Sequence, residues 1–150
     1  MKLLVAVDLS DSTQTIVKKV EEITKEIPAK VWILHNAEPE PDVVEFKADP
    51  QTARESLSKK FHGEHRQIQK IAKRLRKTGL KTTALLVHGA TVDTILREAS
   101  DLDVDLIVVG SHGRNAMYQL VMGSVSGEIL RKSRCPILVV PTHQRSDEDD

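Results

Sequence analysis

The sequence predicts an α/β protein: a five-stranded parallel sheet with helices on both faces, in the manner of doubly wound, Rossmann-like folds. Three observations carry that prediction. Short apolar runs recur at Leu3–Val7, Val31–Leu34, Thr82–Val87, Leu106–Val109 and Ile137–Val140. Each is separated from the next by a segment whose apolar residues return at helical spacing. The runs are apolar nearly throughout rather than alternating, as strands are when both sides of a parallel sheet are covered. Right-handed crossovers then leave few topologies.

Taken in order, the first strand ends at Asp8. Ile16, Val17, Val20, Ile23 and Ile27 keep one face of the first helix apolar, with Ser10 or Asp11 placed to cap its start and Pro28 marking its end. The second strand closes on His35 and Asn36. From Glu38 to about Pro50 the chain is rich in proline and acid, which reads as an excursion within one domain rather than a linker. A longer second helix follows, with Ala53, Leu57, Phe61, Ile68, Ile71, Ala72 and Leu75 inward and Gly79 as its stop. Val92, Ile95, Leu96 and Ala99 give a third helix, and Val125, Ile129 and Leu130 a fourth. One domain is expected over residues 1–143. The tail at 144–150, which ends Asp147-Glu148-Asp149-Asp150, is expected to be disordered.

Composition excludes several classes. At 150 residues the chain suits a single core without staples. Lys plus Arg and Asp plus Glu both number 22, so no global basic field recruits nucleic acid or anionic lipid, and aromatic residues are too sparse for base-stacking platforms. The lone Cys135 reads as a reduced, near-core thiol. No segment approaches the about 18 apolar residues of a membrane span, so a cytoplasmic protein is expected.

The chemistry concentrates after the fourth run. Gly110-Ser111-His112-Gly113, then nine residues to Gly123-Ser124, joins that strand to the fourth helix. Main chain that wraps closely around phosphate favours glycine, since a Cβ blocks the approach. Ser124, Val125 and Ser126 then present backbone N–H groups at a helix start, where the macrodipole favours negative charge. In doubly wound sheets ligands settle outside the carboxyl ends of strands, where strand order reverses. If the first strand neighbours the fourth, giving the order 3-2-1-4-5, Asp8 faces Gly110 across that crevice. Its carboxylate then meets ribose or base while the amides meet the anionic end.

With the strand, Asp8, Gly110-x-x-Gly113, the nine-residue spacing, Gly123-Ser124 and a terminal Cys-Pro-Ile-Leu-Val-Val in order, the chain resembles the universal stress protein family, its ATP-binding branch, over roughly Met1 to Pro141. The resemblance implies the 3-2-1-4-5 sheet and a homodimer through the last strand, Ile137–Val140. It implies that Ala6, Val7 and Asp8 line the adenosine side, that Asn36 lies beside adenine, and that Val109 and Gly110 form the floor. It places Gly113 at the phosphate turn and Gly123, Ser124, Val125 and Ser126 around the phosphates. His112 and Arg114 flank Gly113, where the arginine fork suits phosphate. Departures are Asn36, where an aliphatic residue is common, Leu9 where small residues are frequent, and Gly89-Ala90-Thr91, which lacks a frequent proline.

Other constellations carry less. His62 and His65 share a helical face with no third ligand in sight, so a solvated face is the reading there, and His35 reads as a satisfied buried histidine. Ser111 beside His112 makes no triad by adjacency, and no lysine-bearing phosphate loop or poised base is present. The expectation is therefore a nucleotide-dependent stress-response switch, not an enzyme, with slow hydrolysis at most. Mg²⁺ would arrive with the phosphates of ATP. Met117, Tyr118, Leu120, Val121 and Met122 look too apolar for a solvent-facing loop and suggest packing on the dimer or on a protein client. The competing readings are a nucleotide-free dimerisation module and an adenylyl-transfer enzyme. The latter needs a Ser-Gly-Gly loop that Val7-Asp8-Leu9-Ser10 lacks.

Overall fold

The computed structural model describes residues 1–37, 50–111 and 124–142. Along the chain run β1 (Lys2–Val7), α1 (Ser12–Ile23), β2 (Lys30–Asn36), α2 (Pro50–Lys77), β3 (Lys81–Val87), α3 (Thr91–Asp101), β4 (Leu106–Gly110), α4 (Ser124–Lys132) and β5 (Ile137–Val140). The sheet has the order β3-β2-β1-β4-β5 and every neighbouring pair is parallel.

Alternation along the strands divides the core into two layers. Leu3, Val5, Val7, Val31 and Ile33 point to one side, where α1 supplies Ile16, Val17 and Val20 and α2 supplies Ile68, Ile71 and Leu75. Leu4, Trp32, Leu34, Ile107 and Val109 point to the other, against Val92, Ile95 and Ala99 of α3 and Ile129 of α4. Each such side chain, fully withdrawn from water, contributes about 1.5–3 kcal/mol before the entropy of ordering is counted. Because both sides are covered, the middle positions of β1, β2 and β4 are apolar on both faces.

Helix ends refine the expectations. Gly79 stops α2 as anticipated: it takes φ +91°, which glycine adopts without a Cβ clash, and its N–H donates to the Arg76 carbonyl at 3.0 Å. Arg76 Nε then donates to the Thr82 carbonyl at 2.8 Å, fixing the turn into β3. By contrast α1 closes well before Pro28. Thr24 Oγ1 donates to the Val20 carbonyl at 2.6 Å and the chain turns, so Ile27 lies outside the helix and is 41% exposed rather than inward. Neither Ser10 nor Asp11 caps α1: Asp11 holds the N-cap position in the αR conformation without a side-chain bond, and Ser10 is engaged elsewhere. In α4 the inward stripe is Ser126 and Ile129, at i and i+3, which leaves Val125 39% and Leu130 52% exposed.

Candidate functional site

Parallel strands bring their carboxyl ends to one edge, and the sheet reverses direction between β1 and β4. Leu3 pairs with Leu106 and Val5 with Val108, and the same offset sets Val7 level with Gly110. Asp8 and the end of β4 therefore lie next to each other at the carboxyl edge, where a doubly wound sheet opens a crevice.

The β1 wall is a folded-back turn. Asp8 Oδ1 accepts from the Ser10 N–H at 3.0 Å and from Ser10 Oγ at 2.5 Å, while Ser10 Oγ meets Ser12 Oγ at 2.7 Å. An Asx-type bond of this kind replaces a backbone turn. Between them Leu9 takes φ +60°, unusual for a branched side chain, and packs on the core layer beneath α1 and α2. Its side chain is thus committed to the core rather than crowding the crevice entrance. Ala6 and Val7 complete this wall, Val7 buried and Ala6 half-buried.

Next to it, the ends of β2 and β3 are tied together. Asn36 Nδ2 donates to the Gly89 carbonyl at 2.7 Å and to Thr91 Oγ1 at 2.9 Å, and the Ala37 N–H donates to Val87 at 2.8 Å. The Asn36 amide group thus clips the turn between β3 and α3. Gly89 sits there at φ +134°, and a Cβ on it would lie 2.9 Å from Thr94 Oγ1. His35 is a satisfied buried histidine: Nδ1 lies 3.0 Å from the Val7 carbonyl and Nε2 3.4 Å from Glu64 Oε2 on α2. One turn earlier Phe61 meets the His88 ring edge-on, with centroids 4.8 Å apart, and His88 Nδ1 lies 3.2 Å from the Ala37 carbonyl. These contacts seat α2 on the carboxyl edge.

The β4 wall is made differently. Gly110 pairs with Val140, the Ser111 N–H continues the ladder to the Val140 carbonyl at 2.8 Å, and Ser111 Oγ accepts from the Thr142 N–H at 3.0 Å. The Ser126 hydroxyl, buried, donates to the Gly110 carbonyl. That bond pins the first turn of α4 to the end of β4. The Ser126 hydroxyl is thereby engaged with main chain. The N–H groups of Ser124, Val125 and Ser126 belong to a first helical turn, which has no intrahelical acceptors. Val109 is buried beneath them. Gly113, Gly123, His112 and Arg114 lie outside the described residues, as do Met117, Tyr118, Leu120, Val121 and Met122, the excursion at 38–49 and the tail from 143.

Sequence reasoning missed Thr91, Thr142 and the inward role of Glu64. His62 and His65 are exposed, as a solvated face requires, but Glu64 shares the helical side of Phe61 and Ile68 and turns inward. That spacing was the available signal. Among the described residues no group of three or more His, Cys, Asp or Glu could hold a metal ion, and no helix there is long and apolar enough to cross a membrane. Cys135 is half-buried with Sγ 3.5 Å from the Val104 carbonyl, and burial pushes its thiol pKa above the usual value.

Comparison with known proteins agrees with this architecture. The sequence matches the universal stress protein family over residues 1–141. It is 27% identical over 141 residues to universal stress protein MJ0531 of Methanocaldococcus jannaschii, covering 93% of this chain and 81% of that one. It is 29% identical to universal stress protein YxiE of Bacillus subtilis, covering 93% and 97%. The solved structure of protein MJ0577 superposes with a TM-score of 0.82 at 27% identity, covering 97% of both chains. The family match, the sheet order and the crevice at its reversal agree, and the chain belongs to the universal stress protein family.

Proposed function

We propose that the protein binds ATP at the β1/β4 crevice and acts as a nucleotide-dependent regulator rather than a metabolic enzyme. The observation that carries the reading is the Ser126–Gly110 bond, which holds the first-turn amides of α4 across from Asp8. Ala6, Val7 and Asp8 would hold the nucleoside, Asn36 the base, Val109 and Gly110 the floor, and Gly113, Gly123, Ser124, Val125 and Ser126 the phosphates, with His112 and Arg114 beside them. Two universal stress proteins of this fold support nucleotide binding: one was solved with cAMP and one, from Archaeoglobus fulgidus, with dAMP.

Magnitudes suffice without a lysine clamp. Micromolar affinity requires about −8 kcal/mol. Several charge-assisted amide bonds of about 1.5–3 kcal/mol each, with about 1 kcal/mol from a helix terminus, supply that after ordering costs. Mg²⁺ would be held mainly by the phosphates and its own waters. The reading carries slow hydrolysis at most, because the sequence has no lysine-bearing phosphate loop. Binding would alter the surface offered to a protein client in the cytoplasm, within a homodimer formed through Ile137–Val140.

A nucleotide-free interaction module is the second reading, favoured by one fact: Asp8 Oδ1 and the Asn36 amide are already engaged within the chain. A thermal melt with ATP and Mg²⁺ separates the two. At a hundred times the dissociation constant, binding adds about 2.7 kcal/mol, a shift of roughly 5–10 °C for a chain this size. Gly113→Val should erase the shift and leave the apo melt unchanged. The module reading predicts no shift in either protein and no nucleotide in the mass spectrum of the purified chain.

A further inference from the structure

The chain is neutral overall, yet its longest helix is not. Of the 28 residues of α2, nine are Lys or Arg against Glu55 and Glu64, and Glu64 is turned inward to His35. Lys59, His62, Arg66, Lys70, Lys73 and Lys77 are all exposed. At about 100° per residue they fall within an arc of about 80°, directly opposite Ile68, Ile71 and Leu75, and run for about 27 Å along the helix. Other helices interleave their charges at this spacing: Lys19 pairs with Glu22 on α1 and Glu128 with Lys132 on α4. On α2 the same i, i+3 and i, i+4 positions repeat one sign, an arrangement that opposes helix formation. Arg74, just off the stripe, is bonded to Glu21 and Gln14. Among the described residues, none of the five stripe cations has a carboxylate partner.

We infer that this stripe is a docking surface for an acidic peptide segment, namely the run Asp147-Glu148-Asp149-Asp150 of a second copy of the chain. Charge complementarity selects the occupant, because this is the longest unbroken acidic run in the sequence and matches the unbroken sign of the stripe. Geometry selects the second copy. Thr142 is anchored to Ser111 at the β5 end of the sheet, whereas α2 covers β2 and β3, three or four strands away. That is about 14–19 Å across the sheet. The stripe lies on the far side of α2, with α1 intervening. An extended chain from Thr142 reaches about 17 Å by Asp147 and about 27 Å by Asp150. The way to the outer face adds the height of a helix, about 10–12 Å, to the crossing of about 14–19 Å, so the run as a whole cannot lie along the stripe in its own subunit.

The test uses full-length protein whose tail is neutralised by Asp147→Asn, Glu148→Gln, Asp149→Asn and Asp150→Asn, titrated into a fluorescein-labelled peptide of residues 143–150. At about 20 mM salt a saturable rise in anisotropy is expected, weakened at least tenfold at about 200 mM because exposed charges are screened. Adding Arg66→Gln, Lys70→Gln and Lys73→Gln should weaken peptide binding at least tenfold. If that variant fails to fold, peptide-induced amide shifts in the parent protein must still map to residues 59–77 of α2. Absence of saturable binding, shifts confined to other elements, or equal binding by the Gln variant would each overturn the assignment. So would tighter binding of duplex DNA or phosphatidylserine vesicles through the same residues, which would give the stripe to a phosphate-bearing partner.

Discussion

The two walls of the crevice reach the same edge by different means. The wall from β1, β2 and β3 is fixed by side chains: Asp8 with Ser10, Ser10 with Ser12, Asn36 with Gly89 and Thr91. The wall from β4 and α4 presents main chain: the Ser111 N–H continues the ladder to Val140, and the Ser126 and Ser111 hydroxyls serve only as staples on Gly110 and Thr142. The difference teaches where each kind of specificity resides. A wall of side chains can be retuned by substitution, whereas main-chain donors survive substitution as long as the backbone path is kept.

The largest test of that contrast is Gly89→Ala. Its φ of +134° and the 2.9 Å approach of a Cβ to Thr94 Oγ1 force the turn that Asn36 clips to move, at a cost of about 2–3 kcal/mol in chemical denaturation. Ser126→Ala comes next. It strands the Gly110 carbonyl near the buried end of β4 and should cost about 1–3 kcal/mol, with nucleotide affinity falling alongside because the α4 amides lose their staple. Asp8→Asn preserves an Oδ1 acceptor for the Ser10 turn, so stability should change by less than about 1 kcal/mol. Titration calorimetry should nonetheless show ATP affinity reduced about tenfold, worth about 1.4 kcal/mol; an unchanged affinity would mean the β1 wall does not touch ligand.

The smallest effect lies away from both walls, at Cys135. Burial raises its thiol pKa, so the folded state holds that proton more tightly than the unfolded chain does. Its small contribution to stability is complete below the unfolded value and fades as pH rises through the folded one. Labelling by a disulfide reagent at pH 8 should be slower in the native protein than in urea, by at least a few-fold.

The parts of this architecture that were legible in the sequence are those written in local periodicity. Strand count, the two-sided burial that makes Leu3 to Val7 continuously apolar and the stop at Gly79 all follow from spacing along a short stretch, whereas Asp8 and Gly110 meet only because β1 neighbours β4. Ile27 and Leu130 were misplaced because helical periodicity says which residues share a face, not where the helix ends or which stripe finds a partner. The networks were illegible for a further reason. Asn36 and Thr91 are 55 positions apart and Ser111 and Thr142 are 31 apart, so only the closed sheet brings them together. Glu64 was hidden by its polar neighbours, although its spacing from Phe61 and Ile68 belonged to the inward face.

The bond from His35 to Val7 has a practical corollary. A backbone carbonyl can only accept, so Nδ1 carries a hydrogen and ties the ring to Val7 of the proposed nucleoside wall, while Nε2 faces Glu64 on α2. Its ring-nitrogen resonances therefore form an endogenous spectroscopic probe, sensitive to any displacement of the β1 terminus when a ligand enters and requiring no introduced label.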